Sequence, residues 1–160
     1  VGDFNGDGKS DILLQNAASG ACFVWEMNGL GFMNPTSYGF VGWTPGKDWV
    51  VKGTGDFNGD GKSDILLQNS NSGACFVWEM NGLGFQSDTS FGYVGWTPGK
   101  EWVVAATGDY NGDGKSDILL QNDVNGACYV WQFGDGLKLL ATDGYGYVGW
   151  TPGTDWHAVA

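Results

Sequence analysis

The sequence predicts an all-β protein built from three repeats. Short apolar runs alternate with turn residues along the whole chain, and no segment shows the 3.6-residue periodicity of an amphipathic helix. Two landmarks recur at a spacing of 53 residues, namely Asp3, Asp56 and Asp109, and Cys22, Cys75 and Cys128. Self-similarity at a fixed period indicates a repeat architecture. We therefore expect one domain of 160 residues with repeats at about 1–53, 54–106 and 107–160.

Each repeat is expected to supply four short strands, and the first repeat shows their order. The apolar run 12–16 is closed by turn residues and predicts a buried strand, which ends in the turn 17–20. A second strand over 21–27 would place Cys22 and Val24 on one face and Trp25 on the other, because side chains alternate along a strand.

The second half of the repeat carries two further strands. Asn28-Gly29 is a strong signal for a tight hairpin turn. A third strand is expected near 37–41, followed by a turn at 42–46. A fourth strand over 49–54 then leads into the next repeat.

The segment 2–16 recurs almost unchanged at 55–69 and 108–122. Its oxygen-bearing side chains stand at alternate positions, with glycines between them where a chain curling around a small ion needs φ > 0. Carboxylates this close together need a cation, and calcium, which takes about six to eight oxygen ligands, is the expected occupant. Three sites are predicted, with each lysine contributing its backbone carbonyl: Asp3, Asn5, Asp7, Lys9 and Asp11; Asp56, Asn58, Asp60, Lys62 and Asp64; and Asp109, Asn111, Asp113, Lys115 and Asp117.

The type of calcium loop follows from its length. An EF-hand loop needs an acidic ligand at its twelfth position and a helix after it. Counted from Asp3, the ninth position is Asp11 but the twelfth is Leu14, and a predicted strand follows. The loop is therefore expected to join two strands of a hairpin. The pattern Asp-x-Asn-Gly-Asp-Gly-x-Ser-Asp followed by Ile-Leu resembles the calcium loops of FG-GAP and VCBS repeats, and it covers all three repeats.

This resemblance implies four-stranded blades of the β-propeller type, as in integrin alpha chains and many secreted bacterial proteins. It implies an extracellular calcium-binding module that acts in adhesion, scaffolding or self-assembly. Propellers have about four to eight blades, so three blades do not close alone. Two chains in one ring, a longer array or an open assembly would solve this. The repeat count also leaves open a threefold single-chain β-trefoil or β-prism.

The two ends of the chain are expected to share one strand. The segment 156–160 continued onto 1–2 reproduces the interval from Trp49 to Asp56. An unpaired strand edge templates pairing with another chain. We therefore expect self-association, or contact with neighbouring repeats, that orders both terminal segments.

The charge balance restricts the partners. The chain has 18 Asp plus Glu and 7 Lys plus Arg, for a net charge of −11, which three calcium ions would reduce to −5. This acidity argues against nucleic acid and anionic membranes as partners. No apolar run approaches the roughly 20 residues that a membrane span needs. Because calcium is abundant outside cells, an extracellular location is expected.

The three cysteines are expected to be buried free thiols, since an odd set related by the repeat cannot form a disulfide framework within repeats. The nine tryptophans suggest an alternative function, a multivalent carbohydrate-binding lectin, because aromatic faces stack on sugar rings. Packing between sheets competes with that interpretation for Trp25. Trp43 lies in a predicted turn and is the stronger lectin candidate.

No enzyme is expected from the sequence. It contains no Ser/His/Asp arrangement and no phosphate-binding loop, and the predicted metal sites account for the paired acids. The single histidine, His157, stands where the other repeats have Val50 and Val103. We therefore expect it to be an ordinary strand residue.

Overall fold

The computed structural model describes residues 1–140 and 143–159. These residues form strands and no helix, which confirms the all-β prediction. The strands are β1 Ile12–Gln15, β2 Cys22–Trp25, β3 Met27–Asn28, β4 Gly31–Phe32, β5 Tyr38–Phe40, β6 Trp49–Gly55, β7 Asp64–Asn69, β8 Cys75–Trp78, β9 Met80–Asn81, β10 Gly84–Phe85, β11 Phe91–Val94, β12 Trp102–Gly108, β13 Asp117–Asn122, β14 Cys128–Trp131 and β15 Tyr145–Tyr147. The described residues include no helix that could span a membrane.

Two sheets are complete antiparallel meanders of four strands. Sheet 2 has the order β6-β7-β8-β11, and sheet 3 has the order β12-β13-β14-β15. In sheet 2, Trp49 pairs with Asn69, and Trp78 pairs with both Ile65 and Phe91. Each sheet begins with a strand that precedes its loop in sequence. The strand that leads into a loop therefore belongs to the same sheet as the strand that follows the loop.

Sheet 1 contains three strands, in the order β1-β2-β5, together with an isolated bridge between Gly2 and Asp11. The fourth strand expected over 156–160 is not formed within 156–159, and Ala160 lies outside the described residues. A strand requires a partner edge, and the described residues supply none for this segment. His157 is accordingly exposed and outside any strand, contrary to the sequence-based expectation.

The hairpin near Asn28 is displaced by one residue from its prediction. Asn28 pairs with Gly31, so the turn residues are Gly29 and Leu30. The predicted strand over 21–27 is also interrupted at Glu26, and a separate two-stranded ribbon follows it. The reason is a contact with the acidic loop, because the backbone amide of Met27 donates to the Asp11 carboxylate at 2.9 Å and does not extend the pairing of β2.

The core lies between consecutive sheets in two clusters. The first joins sheets 1 and 2 through Cys22, Val24, Val41, Ile65, Leu67, Phe76 and Trp78; the second joins sheets 2 and 3 through Cys75, Val77, Val94, Ile118, Leu120 and Trp131. Neither cluster joins sheet 1 to sheet 3. The described residues thus form a stack of separate sheets and no closed barrel of the kind that underlies a trefoil.

The stack explains which predicted core residues are covered. Leu67 and Leu120 are each 1% exposed, but their counterpart Leu14 is 40% exposed because sheet 1 has no neighbour on that face. The prediction that strand 12–16 is buried is therefore wrong for the first repeat. Cys22 and Cys75 are buried free thiols, as predicted, whereas Cys128 is half-buried for the corresponding reason at sheet 3.

Candidate metal centres

The three acidic loops occupy equivalent places in the three sheets. Gly55 pairs with Asp64 across the second loop, and Gly108 pairs with Asp117 across the third. The bridge between Gly2 and Asp11 closes the first loop in the same way. Each loop therefore connects antiparallel strands, as the nine-residue spacing predicts.

The first aspartate of each loop fixes its curvature. Asp3 Oδ1 accepts the amides of Gly6 at 2.7 Å and Asp7 at 3.1 Å, and its Oδ2 accepts the amide of Gly8 at 2.8 Å. Asp56 and Asp109 bind the same three positions of their own loops. Hydrogen bonds from backbone amides lower the pKa of Asp109, and the bond from the Gly114 amide has the largest effect.

The glycines of the loop make this winding available. Gly6 and Gly8 have φ of 78° and 83°, a region that residues with a Cβ rarely occupy. Both amides point at one carboxylate as a result. The sequence-based inference that these glycines need positive φ is confirmed.

The next two polar side chains cap the amide two residues further on. Asn5 Oδ1 accepts the amide of Asp7 at 2.9 Å, and Asp7 Oδ1 accepts the amide of Lys9 at 2.9 Å. The same bonds recur through Asn58 and Asp60 in the second loop. They recur through Asn111 and Asp113 in the third loop.

A lysine supplies positive charge within two of the loops. Lys9 Nζ lies 3.0 Å from Asp7 Oδ2. Its side-chain hydrogen bond is the main cause that lowers the pKa of Asp7. Lys62 lies 3.6 Å from Asp60 in the same way. Lys115 differs, because its Nζ pairs with Asp135 at 2.6 Å outside the loop.

The last aspartate of each loop is fully buried. Asp64 accepts the amides of Phe57 and Met80 at 2.9 Å, one on each oxygen, and so ties its loop to the hairpin β9–β10. Asp11 and Asp117 make the equivalent bonds. Burial raises the pKa of Asp64 to about 7, and it also raises the pKa of Asp117.

The predicted ligands therefore share a loop but do not form a ready coordination sphere. Within 1–140 and 143–159, no group of three or more His, Cys, Asp or Glu side chains is placed to hold a metal ion. The donor chemistry nevertheless fits a hard cation, because each loop has three carboxylates, one asparagine amide oxygen and the backbone carbonyl of its lysine. An ionised carboxylate has about four lone pairs, so accepting backbone amides leaves capacity for a metal.

Two serines that the sequence analysis did not single out join neighbouring loops. The amide of Ser63 donates to the Asp3 carbonyl at 2.6 Å, and its hydroxyl accepts the amide of Asp3 at 3.0 Å. The amide of Ser116 donates to the Asp56 carbonyl at 2.7 Å. The three loops thus lie side by side. A serine stands at this position in all three repeats, and this recurrence is the sequence signal that could have identified it.

The comparisons agree with the motif. A family model for the FG-GAP-like repeat matches residues 56–120, from the first aspartate of the second loop into β13. No curated protein and no solved structure matches the chain. The family match confirms, over residues 56–120, the resemblance to FG-GAP-like repeats that was drawn from the loops.

Proposed function

We propose that this chain is a non-catalytic, calcium-stabilised module that works outside the cell in adhesion, scaffolding or self-assembly. The observation that carries the proposal is the recurrence of one oxygen-rich loop, wound by the same hydrogen bonds around Asp3, Asp56 and Asp109. An acidic loop needs no such repeated geometry merely to stay solvated. A common ligand for the three loops accounts for it.

In the first loop, the proposed ligands are the side chains of Asp3, Asn5, Asp7 and Asp11 and the backbone carbonyl of Lys9. Calcium would offset two of the three negative charges of these carboxylates. The Lys9 ammonium, which offsets part of this charge at Asp7, would be displaced. The second and third loops would bind calcium through the equivalent residues.

We further propose that each sheet is a propeller-type blade. Four antiparallel strands in sequential order, stacked face to face, are the arrangement within a propeller. The leading strands β6 and β12 also lie side by side, because the Thr107 hydroxyl donates to the Thr54 carbonyl at 2.9 Å. Strands equivalent to these line the axis of a propeller.

The proposed role of the ion is to stabilise the fold. With a Kd of about 0.1 mM and calcium at about 1.5 mM, each site would add about 1.6 kcal/mol to the free energy of unfolding. Three such sites would contribute about 5 kcal/mol, which is comparable to the whole stability of a small domain.

Calorimetric titration with calcium tests the proposal. Three sites are expected, together with a higher melting temperature in calcium than in chelator. Asp60→Asn is the informative variant, since an amide oxygen can still accept the Lys62 amide but carries no charge. It should weaken one site of three, whereas Asp88→Asn, in an exposed turn outside the loops, should weaken none. Identical melting with and without calcium would contradict the proposal.

A lectin is the second candidate, favoured by two equivalent aromatic pockets of about 210 Å³ each. One is lined by Trp43, Pro45, Trp49, Leu67, Phe76, Trp78 and Tyr93, and the other by Trp96, Pro98, Trp102, Leu120, Tyr129, Trp131 and Tyr147. Neither lining includes a carboxylate or a carboxamide, so a sugar would bond to indole N–H groups, tyrosine hydroxyls and water. Glycan binding that is lost in Trp96→Ala would support this candidate. Absence of binding across a broad glycan panel would remove it.

A further inference from the structure

The first acidic loop is held by residues of the second repeat as well as by its own. The Ser63 amide donates to the Asp3 carbonyl at 2.6 Å, and the Asp3 amide donates to the Ser63 hydroxyl at 3.0 Å. The Gly82 amide, in the turn between β9 and β10, donates to the Phe4 carbonyl at 2.7 Å. Three hydrogen bonds from another repeat therefore fix the two residues at which this loop begins.

The first two loops also meet without room for a side chain at the contact. A Cβ placed on Gly2 would lie 2.5 Å from the Ser63 Cβ. The aliphatic stem of Lys62 covers Gly6, because the Lys62 Cγ lies 3.4 Å from the position that a Gly6 Cβ would take. The second loop therefore packs along the first at both ends of the hydrogen bond from the Gly6 amide to the Asp3 carboxylate.

Asp3 is the residue on which the winding of the first loop depends. Its carboxylate accepts the amides of Gly6, Asp7 and Gly8, and it is also the first ligand of the proposed calcium site. A side chain moves with its backbone, so a displaced Asp3 main chain would carry these three bonds with it. The two bonds from Ser63 act on that main chain, as groups behind a metal ligand commonly do.

The Ser63 side chain contributes nothing comparable to its own loop. Its hydroxyl accepts the Asp3 amide and makes no other hydrogen bond in the part of the chain that the structure describes. Ser63 is not a proposed calcium ligand, although it lies between two of them, Lys62 and Asp64. The side chain therefore serves the preceding loop.

We propose that Ser63 is a positioning residue for the calcium site of the first loop, so that this site takes its geometry from two repeats. The inference rests on the calcium binding proposed above. Because the Asp3 backbone is already held before the ion arrives, less of the loop must be ordered when calcium binds. Preorganisation of this kind raises affinity.

The junction between the second and third loops has fewer bonds. The Ser116 amide donates to the Asp56 carbonyl at 2.7 Å, as at the first junction. Between residues 1–140 and 143–159, however, the Asp56 amide makes no bond to the Ser116 hydroxyl, and the Phe57 carbonyl receives no amide from the third repeat. The hairpin turn that would supply this amide is one residue longer in the third repeat, at 134–136. The Ser116 side chain should therefore matter less to its neighbour.

Calcium titration of the full chain, followed by amide NMR spectroscopy, tests the proposal loop by loop. The amides of Gly6, Gly59 and Gly112 report on the first, second and third loops. Ser63→Ala should weaken calcium binding in the first loop by about two- to tenfold, the range expected for one hydrogen bond, and leave the other two loops unchanged. Ser116→Ala should change the second loop less.

Ser10→Ala is the matched control. Ser10 occupies the same position of its own loop, between two proposed ligands, but it is exposed and its side chain bonds to no other loop in residues 1–140 and 143–159. It should leave all three loops unchanged. Gly2→Ala keeps the Ser63 hydroxyl but pushes against the Ser63 Cβ, so it should weaken the first loop as Ser63→Ala does. Urea denaturation in chelator measures any loss of stability that does not involve the metal.

The outcomes separate this role from general support of the fold. Weaker calcium binding in the first loop alone, in both Ser63→Ala and Gly2→Ala, supports the proposal. If Ser63→Ala instead weakens its own loop, weakens all three loops equally or changes none, the positioning role is overturned while calcium binding stands. A wild-type chain in which no loop responds to calcium overturns both the calcium proposal and this one.

Discussion

Gln68 holds the backbone of Trp102, 34 residues further along the chain and in the next sheet. Its Nε2 donates to the Trp102 carbonyl at 2.8 Å, and its Oε1 accepts the amide of Val104 at 3.1 Å. The same Nε2 also donates to the Gly73 carbonyl at 3.1 Å. Gln15 makes the equivalent bonds to Trp49 and Val51. One glutamine per repeat therefore fixes the position of the following sheet.

Replacing this side chain should be costly at the internal junction. Gln68→Ala leaves one buried amide and two carbonyls without their partner, and each such group costs about 1–3 kcal/mol. We expect the free energy of unfolding to fall by about 3 kcal/mol, measured by urea denaturation. Gln121→Ala is the matched control. It loses the same bond to a glycine carbonyl, that of Gly126, but its other two bonds reach the segment 156–158, where Trp156 is exposed and water can replace them. We expect it to cost about 1–2 kcal/mol, and equal losses in the two variants would show that Gln68 does not hold the junction.

The thiols should differ in reactivity. Burial raises the pKa of Cys75 to about 12 and that of Cys22 to about 11, so both stay protonated at pH 8. Only the thiolate is nucleophilic, and Cys128 is the more accessible thiol. A thiol-reactive dye should show one fast and two slow phases in the dilute native protein and three fast ones after unfolding. Raising the pH to 9 should not bring Cys75 into the fast phase.

Two observations identify the fast thiol and test this ordering. Cys128→Ser should remove the fast phase and leave both slow phases unchanged. Three fast phases in the native protein would show that the junctions open readily and would contradict the burial of Cys22 and Cys75.

The strands were largely predictable because their causes are local. The alternation in 22–25 and the apolar run that begins at Ile12 can be recognised without knowing the rest of the fold. The predictions failed where a residue distant in sequence determines the local structure. Residues 156–159 have the sequence of a strand, but their structure depends on an edge that the described residues do not supply. The turn at Gly29 moved because Asp11 binds the amide of Met27.

The candidate site was predictable in composition and only partly in arrangement. Spacing alone identified Asp3, Asn5 and Asp7 as one loop, and all three cap amides of that loop. The burial of Asp11 did not follow from spacing, because it depends on the neighbouring hairpin. The ion pair of Lys9 did not follow from spacing either, because it depends on the rotamer of a flexible side chain.

Gly73 should tolerate no side chain. Its φ is 76°, and a Cβ on it would collide with the Gly99 carbonyl, which belongs to the turn before the next sheet. Gly73→Ala should therefore destabilise the protein by about 2–4 kcal/mol in thermal or urea unfolding, through strain and a displaced junction. Gly92→Ala is the control, because a Cβ there meets open space in a strand, and its effect should stay within about 0.5 kcal/mol. A Gly73→Ala variant as stable as the control would show that the two turns separate freely.

Removing the Lys9 side chain should strengthen calcium binding in the first loop. Lys9 Nζ lies 3.0 Å from Asp7 Oδ2, so an entering cation must displace it, while the proposed ligand of this residue is its backbone carbonyl. An exposed ion pair is weak, so Lys9→Met should tighten this site by at most about fivefold in a competitive chelator titration. Lys115→Met is the control, because Lys115 pairs with Asp135 outside its loop and should change the third site less. The difference between the variants should shrink at high salt, which screens exposed charges. Weaker calcium binding in Lys9→Met than in Lys115→Met would instead show that the ammonium supports the loop rather than competing for it.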